Sequence, residues 1–405
     1  MKTFTKIMAL GLTVTGMMAA IQETFAATKL EFAQNKREAV ASFDALIAKF
    51  EQANPDIDIE QNLLPEFNTV MQARMMKGSL PDVIAMGGDF LFGEMSRAGV
   101  LADFTGDPLF EALQPAYPKM LAKLAGTETA NGIPFSANAN TVLYNKKKFA
   151  ELGAQVPTTW DEFIGLCEKI KAAGQTPLYL TFADAWTVMV PFNALAANLQ
   201  GDDFIEKRTA NETTFAERYR PVAEKMLQLL NYGLADNFSA DYNQGNAAFA
   251  KGDAFMLIQG IWAISSIKQA NPDVEIGVFT LPALNDAAQN RLVSGVDTVL
   301  TMSAATPNAE AAKKFIAFLL QPENNQQYIN EQKLYSAVKG VYQEDPQLVD
   351  IKSFFENGQI TSFPDHYYPA GMQLANLVQE FLINKDIDAF LKKLDEEWDK
   401  VASRM

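Results

Sequence analysis

The chain has 405 residues, of which 48% are hydrophobic and 20% are charged, so it can form substantial cores and is neither disordered nor fibrous. Its 34 basic and 49 acidic residues give a net charge of -15, which opposes binding to nucleic acid or to an anionic membrane surface. The single cysteine excludes an intramolecular disulfide. The length suits two lobes of about 150 to 200 residues each.

The first residues have the order of a secretory signal. Two lysines precede an apolar run from Ile7 to Ile21, and small residues follow that run. We expect residues 1–27 to be a signal peptide that is cleaved near Ala26 or Ala27; the alternative is a buried N-terminal helix. No cysteine follows the run to carry a lipid, and no later segment reaches about 18 consecutive apolar residues. The sequence therefore predicts an exported protein that is free in a periplasm.

Hydrophobic periodicity predicts alternating strands and helices in the first part of the mature chain. Alternating apolar residues indicate strands in "KLEFAQ" and "DIDIEQNLL", and helical spacing indicates a helix between them in "REAVASFDALIAKFEQANP". The alternation continues with helices in "FNTVMQARMMKG" and "FLFGEMSRAG" and with strands in "PDVIAM" and "GIPF". Such units build a mostly parallel sheet flanked by helices.

From Thr158 onward the sequence becomes rich in helices. Helices are predicted in "TTWDEFIGLCEKIKAAG", "RPVAEKMLQLLNYG" and "GNAAFAKGDAFMLIQG", strands in "EIGVFTLP" and "VLTMSA", and further helices in "AEAAKKFIAFLL", "PENNQQYINEQ" and "DIDAFLKKLDEEWDKVASRM". Cys167 lies on the apolar face of its helix, so we interpret it as a core residue and not as a nucleophile. Trp160 and Trp398 lie on amphipathic helices and are interpreted as packing residues.

Five segments, in order along the chain, carry a resemblance to a known family. They are "FEQANPDIDIE", "GSLPDVIAMGG", "NGIPFSANANTVLYNKKKFAELGAQVPTTWDEF", "NAAFAKGDAFMLIQGIW" and "NAEAAKKFIAFLLQPENNQQYINE". The set resembles the extracellular solute-binding proteins of ATP-binding-cassette (ABC) sugar importers, to which maltose-binding protein is related, and is most similar to their multiple-sugar and raffinose-type branch. The similarity extends from about Leu30 to Met405.

The resemblance implies an α/β fold of two lobes, the type II periplasmic-binding-protein fold, with a ligand held in a hinged cleft. Three crossings between the lobes are expected near residues 137–142, 294–298 and 336–341. The N-terminal lobe would comprise residues 28–137 and 298–338, and the C-terminal lobe residues 138–297 and 339–405. The implied partners are an oligosaccharide and the transmembrane subunits of an ABC permease. No cofactor and no nucleic acid is implied, and we expect a monomer.

A sugar presents rows of hydroxyl groups and apolar C–H faces, so its site needs hydrogen-bonding side chains and aromatic rings. Lys36 and Asp89 each follow a predicted strand, at the edge where open α/β sheets bind ligands. The alternatives are a solvated lysine and a simple turn before Asp89. Asn138 and Asn140, in "SANAN", lie at an expected crossing and are either turn formers or cleft amides.

Three further residues are candidates for the cleft. Asp297 lies at another expected crossing, where it either faces the cleft or caps the next element. The family has a stacking aromatic near Trp186, although a core tryptophan is the alternative. Trp262 follows Gly260, which permits close approach of the backbone, so we interpret Trp262 as a ligand wall.

The only histidine, His366, lies in "SFPDHYYPAGM", where two prolines stiffen an extended loop. A lone histidine is usually a structural hydrogen-bonding residue. Here its neighbour Asp365 and the surrounding aromatic residues favour a clamp on a sugar. We predict that Asp365 and His366 hold one terminal sugar unit, with Phe363 or Tyr368 packed beside it, and that none of them is catalytic.

Two other functions stay open at this stage. A glycosidase could take its pair of carboxylates from Asp89, Asp297 and Asp365. The sequence, however, has no G-x-S-x-G, H-E-x-x-H or phosphate-loop motif. A polyamine receptor would also use carboxylates and aromatic faces. One histidine and one cysteine oppose a transition-metal site. We favour a binding protein without metal or cofactor for a neutral α-galactoside or α-glucoside of the raffinose or isomaltose kind.

Overall fold

The computed structural model describes residues 27–64, 66–369 and 371–403, so the predicted signal peptide, residues 1–27, lies outside the described residues except for Ala27. Within these ranges the strands are Thr28–Gln34 (β1), Ile57–Leu63 (β2), Val83–Met86 (β3), Ile133–Asn145 (β4), Leu178–Tyr179 (β5), Met256–Gly260 (β6), Ile276–Phe279 (β7), Leu292–Met302 (β8), Tyr335–Ser336 (β9) and Ile360–Thr361 (β10).

The helices are Val40–Ala53 (α1), Phe67–Lys77 (α2), Phe90–Arg97 (α3), Ala116–Ala125 (α4), Lys146–Leu152 (α5), Trp160–Ala172 (α6), Met189–Leu199 (α7), Phe204–Thr209 (α8), Phe215–Arg218 (α9), Arg220–Leu229 (α10), Tyr242–Lys251 (α11), Ala263–Ala270 (α12), Ala309–Leu319 (α13), Pro322–Gln332 (α14), Val349–Glu356 (α15), Leu374–Asn384 (α16) and Ile387–Ala402 (α17). In the described part of the chain, none of these helices is both long enough and apolar enough to cross a membrane.

The first strands form the parallel unit that the sequence predicts. β1 pairs in parallel with β2 on one side and with β3 on the other, and α1 and α2 make the connections. Parallel neighbours need such crossovers because a short turn can join only antiparallel strands. β3 then pairs antiparallel with β8, which enters from the distant part of the chain, so the complete sheet is mixed.

Two long strands connect the halves of the molecule. The first part of β4 pairs with β8, from Ile133 to Ala139, and its second part pairs with β6 and β7, from Asn140 to Asn145. β8 pairs with β3 at one end and with β10 at the other. Each strand thus changes partners midway, as a strand does when it passes from one lobe into the other. The lobe boundaries given above stay a prediction.

Separate sets of aromatic side chains fill the two ends of the molecule. Phe43, Phe135 and Tyr328 pack together in the first core. The second core includes Trp160 and Cys167, both buried, and the buried Trp398 packs there against other rings. The interpretation of these three residues as packing residues is confirmed. Burial raises the pKa of the Cys167 thiol, which further opposes its use as a nucleophile.

Two local predictions were wrong. The segment "GNAAFAKGDAFMLIQG" is helical only up to Lys251, the last residue of α11, and then forms β6, because a short apolar run has the same composition in a buried strand as in a buried helix. The loop around His366 is not extended throughout: Pro364–Tyr367 form a short 3-10 helix, since proline suits the first position of a helical turn.

Candidate functional site

The site is centred on one face of the two long strands, where they change partners. Ser136, Asn138 and Asn140 alternate along β4, so all three point to the same face, and Asn138 lies directly opposite Gly295 of β8. Asp297 is two residues beyond Gly295 and shares that face. The fold therefore brings together polar residues that are more than 150 positions apart in the chain.

Asp297 is the hub of this group. Its carboxylate, which is almost fully buried, accepts hydrogen bonds from Ser136 Oγ at 3.3 Å, from Asn138 Nδ2 at 3.4 Å and from Thr298 Oγ1 at 3.0 Å. The ammonium group of Lys36, which lies just beyond β1, forms an ion pair with it. The structure thus brings together three predicted residues, Lys36, Asn138 and Asp297, and leaves the Asp297 carboxylate well supplied with donors.

Two glycines on this face make room for aromatic rings. Gly260 of β6 pairs with Asn140, and a Cβ atom at position 260 would lie 1.8 Å from the ring of Trp262. A Cβ atom at Gly295 would lie 3.0 Å from the ring of Phe363. Each ring can approach the strands only because the glycine has no side chain. Trp262 therefore lies beside Asn140, and Phe363 beside Asn138.

The two asparagines each retain an unused acceptor. Asn140 donates from Nδ2 to the carbonyl oxygen of Val190 at 2.7 Å, and Asn138 donates to Asp297. The side-chain oxygens of both asparagines are buried without a hydrogen-bond partner among the described residues. Buried polar atoms of this kind are rare in proteins and need a specific explanation. A ligand that donates hydrogen bonds would satisfy both.

The segment Phe363 to His366 forms a wall of the site. The imidazole of His366 stacks on the ring of Phe363, with 5.0 Å between the ring centroids and 21° between the planes. Asn193 Oδ1 accepts a hydrogen bond from the backbone N–H of Asp365 at 3.3 Å and so holds the turn. Asp365 Oδ1 is buried, lies 4.0 Å from His366 Nε2 and has no hydrogen-bond partner among the described residues.

Asp89 lies near this wall, at the start of a helix. It caps α3, where its Oδ1 accepts from the backbone N–H of Leu91 at 3.0 Å. The preceding Gly88 donates its backbone N–H to the carbonyl oxygen of Val296, which places Asp89 next to the crossing strand β8. Burial raises the pKa of Asp89 above the usual 3.8, the charge of His366 opposes this shift, and Asp365 adds to it.

Trp186 is exposed and forms an aromatic pair with Tyr242. Its ring, which is 45% exposed, lies 5.1 Å from that of Tyr242 between centroids, at 58°. Burial raises the pKa of Tyr242, and the carboxylate of Glu38, from the segment just after Lys36, contributes to the same shift. Neither was predicted, because each has an ordinary sequence context: a helix start and a short turn.

The wall also contacts the first lobe. Leu124 of α4 and Gly88 line a cavity of only about 10 Å³ with Phe363 and His366. Beside it, Lys123 Nζ lies 4.8 Å from the ring centroid of Tyr367 and 3.5 Å from Glu206 Oε1. α4 therefore contacts both the wall and α8, which are distant from it in the chain.

Of the two aromatic residues considered for packing beside the sugar, Phe363 and Tyr368, Tyr368 does not lie at the wall. Its side chain is buried in the second core, where its hydroxyl contacts that of Tyr219 and its ring lies edge-on to that of Trp398. The reason is the short helical turn, which directs Tyr368 away from Phe363 and into the apolar interior. Phe363 alone takes the packing role beside His366.

The arrangement suits binding of an uncharged, hydroxyl-rich molecule. It offers aromatic faces, unused oxygen acceptors and an ammonium group already paired with a carboxylate. Among the described residues, no group of three or more His, Cys, Asp or Glu side chains is arranged to hold a metal ion.

Comparison with known proteins agrees with this geometry. The model of the family described as "Bacterial extracellular solute-binding protein" matches residues 33–326. A multiple sugar-binding protein of Streptococcus mutans is 32% identical over 332 residues, which cover 78% of this chain and 76% of the relative. The melibiose/raffinose/stachyose-binding protein MelE of Bacillus subtilis is 23% identical, over 82% of this chain and 79% of its own length.

Two solved structures of one protein are also similar. The complex of the solute-binding protein RafE with raffinose superposes with a TM-score of 0.83, at 26% identity, and covers 93% of this chain and 100% of that one. The apo form of RafE from Streptococcus pneumoniae gives a TM-score of 0.77, at 26% identity, and covers 94% and 100%. The two-lobed α/β fold is thereby confirmed. This chain belongs to the family of bacterial extracellular solute-binding proteins.

Proposed function

We propose that this protein captures a neutral oligosaccharide between its two lobes and delivers it to the transmembrane subunits of an ABC permease. The observation that carries the proposal is the strand face with Asn138 and Asn140. There, unused side-chain oxygens lie beside the rings of Phe363 and Trp262. Sugar hydroxyls would donate to the oxygens, and the C–H faces would pack on the rings.

The ligand class is a raffinose- or isomaltose-type α-galactoside or α-glucoside. The names of the multiple sugar-binding relative, of MelE and of the RafE complex support a sugar of this class. The chain also superposes better on the raffinose complex than on the apo form of RafE, which supports a closed arrangement of the lobes. Closure would follow from sugar contacts that both lobes make only when they are close together.

The charges of the site favour a neutral ligand over a polyamine, the second candidate. Asp297 is already paired with Lys36, and the raised pKa of Asp89 reduces its tendency to carry a charge. A polyamine would need several ionised carboxylates facing it. A glycosidase would likewise need two carboxyl groups across one bond in an acid and base pair, and Asp297 is occupied by its donors. We therefore propose no catalysis and no cofactor.

The experiment is calorimetric titration of the mature chain with a panel of neutral oligosaccharides and with spermidine. The double variant Asp365→Ala/His366→Ala is compared with Asp253→Ala, which removes an exposed carboxylate from a surface turn. Sugar binding that is lost in the double variant and kept in the control would support the proposal. Heat from spermidine alone, weakened by salt, would replace it with the polyamine function. Hydrolysis of any oligosaccharide would replace it with an enzyme.

We further propose that the protein is an exported, periplasmic monomer that binds no nucleic acid. Support comes from the order of the first residues and from the extracellular family that the chain matches. N-terminal sequencing of the protein from the cell envelope, together with its mass in solution, tests this. A mature protein that starts near residue 27 and has the mass of one chain is the expected result.

A further inference from the structure

The sequence contains two Asn-Gly pairs, Asn131-Gly132 and Asn357-Gly358. In such a pair the backbone nitrogen of the glycine can attack the side-chain amide carbon of the asparagine, because glycine has no Cβ atom to obstruct the approach. The ring that forms is the intermediate of spontaneous deamidation. Ring closure in a folded protein requires that the pair can move, and the structure gives the two pairs opposite surroundings.

The first pair is held rigidly just before β4. The side chain of Asn131 is buried, donates from Nδ2 to the carbonyl oxygen of Ala102 at 3.3 Å and accepts from Thr129 Oγ1 at 2.9 Å. Gly132 is enclosed as well, since a Cβ atom there would lie 2.4 Å from the side chain of Val299. Ring closure at this pair would first have to break buried hydrogen bonds, which costs free energy.

The second pair lies on the surface, in the turn that joins α15 to β10. Asn357 and Gly358 are both exposed, and a Cβ atom at Gly358 would have no neighbour within 4 Å. Two backbone hydrogen bonds hold the turn, from Gly358 to Phe355 at 3.3 Å and from Gln359 to Phe354 at 2.8 Å. Helix ends of this kind open at little cost in free energy. Only the last turn of α15 has to open for the Gly358 nitrogen to reach the Asn357 side chain.

We infer that Asn357 is a site of spontaneous deamidation in the folded protein. A bond forms between the Gly358 nitrogen and Asn357 Cγ, and the side-chain nitrogen leaves as ammonia, which takes the proton of the Gly358 N–H group. Water then opens the ring. Attack at Cγ gives aspartate, and attack at the main-chain carbonyl carbon gives isoaspartate. Water is the only co-reactant, and the product carries one new negative charge at neutral pH.

The modified turn is connected to the wall of the site. The carbonyl oxygen of Gln359 accepts from the backbone N–H of Leu292 at 3.0 Å, and Thr361 of β10 pairs with Val293 of β8. Val293 in turn packs with Phe363. Isoaspartate adds a methylene group to the main chain, and its charge at the end of α15 opposes the helix dipole. Both effects shift β10 and the wall, so sugar binding should weaken; this last step rests on the proposed function.

The test follows two peptides by mass spectrometry while the purified protein is stored in mildly alkaline buffer, which favours loss of the Gly358 N–H proton. One peptide contains Asn131 and the other contains Asn357, so the chain supplies its own control. The same storage is repeated in urea, where both pairs are free to move. Asn357→Gln is the matched variant, because its longer side chain would have to close a larger ring. Hydrogen exchange of residues 359–366 and titration with raffinose are measured before and after storage.

In the folded protein, the Asn357 peptide should gain the mass difference between OH and NH2 at least about tenfold faster than the Asn131 peptide. In urea the two rates should be similar. Exchange of residues 359–366 should become faster and raffinose affinity should fall as the modified fraction grows, and Asn357→Gln should show neither change.

Equal rates at the two pairs in the folded protein, or no mass gain at Asn357, would overturn the modification site. A mass gain that leaves both exchange and raffinose affinity unchanged would overturn its connection to the wall. Failure of raffinose to bind the fresh protein would count against the proposed function alone, because the mass and exchange measurements use no sugar.

Discussion

The two carboxylates that face the site differ in how far the protein itself satisfies them. Asp297, on the strand floor, accepts from three side chains and is paired with Lys36. Asp365, on the wall, has a buried oxygen with no partner among the described residues. A satisfied buried group stabilises the fold, whereas an unsatisfied one costs free energy until something binds to it. Asp297 therefore stabilises the fold, whereas Asp365 is left for the ligand.

This difference is sharpest in the variant Asp365→Ala. Removal of a carboxylate that only the ligand satisfies should weaken sugar binding by about 10- to 100-fold, the value of a hydrogen bond to a charged group. The thermal midpoint of the ligand-free protein should stay unchanged or rise. Calorimetric titration and thermal unfolding measure the two effects. A large fall in the midpoint would show that Asp365 has structural partners like those of Asp297.

Asp297→Ala should behave in the opposite way. It leaves the partly buried ammonium of Lys36 without its partner, so the free energy of unfolding should fall by about 3 kcal/mol. Urea unfolding of the ligand-free protein measures this loss, and Asp297→Asn, which keeps the size and one acceptor, should lose less. A structural role for Asp297 would be contradicted if Asp297→Ala is as stable as the wild type and only its sugar affinity is reduced.

Gly260→Ala tests the aromatic side of the site. A methyl group at this position would displace the ring of Trp262, because its Cβ atom would lie 1.8 Å from a ring atom. We expect sugar binding to weaken by about tenfold, which corresponds to the binding free energy of about one aromatic contact. The tryptophan fluorescence should also shift. Gly165→Ala is the control, since a Cβ atom there has no neighbour within 4 Å and alanine is the better helix former. Equal affinity of both variants would remove Trp262 from the site.

The smallest effect is expected from the pH dependence of Asp89. Its folded-state pKa is raised, so the folded protein holds a proton that the unfolded chain releases near 3.8. The free energy of unfolding should therefore fall as the pH rises from about 3.8 through the folded-state pKa of Asp89. The stabilisation that Asp89 contributes is fully present only below pH 3.8. Asp89→Asn keeps the helix cap and should lack this slope. Identical pH profiles in urea unfolding would contradict the assignment.

Much of the fold follows from local sequence patterns. The alternation in "KLEFAQ" and "DIDIEQNLL" predicts β1 and β2, and the spacing between them predicts α1, because these elements bury one face each. β4 and β8 are longer than the strands predicted in "GIPF" and "VLTMSA", because they include the short extended segments expected to cross between the lobes. Their middle residues are polar because they face the site, so the hydrophobic signal stops before the strand does.

The candidate residues that the structure brings together lie at a predicted strand end or at expected crossings. Asp297 and Asn138 come from two expected crossings, and Lys36, which follows a predicted strand, meets them. The sequence did not predict Glu38, Tyr242 and Lys123, because their surroundings are contributed by distant parts of the chain. Contacts between residues so far apart in the chain leave no local sequence pattern from which they could be predicted.

The change of partners within β4 and β8 also sets the mechanics of the molecule. When a body turns about an axis, each point moves in proportion to its distance from that axis. The strand face at Asn138 and Asn140 lies where the two strands change partners, so a rotation of one lobe about this crossing moves it less than residues farther from the crossing. A small rotation that tightens the contacts around a ligand there is magnified at the outer rims of the lobes. The permease that we propose as the partner would therefore distinguish the occupied protein from the empty one through contacts with those rims alone.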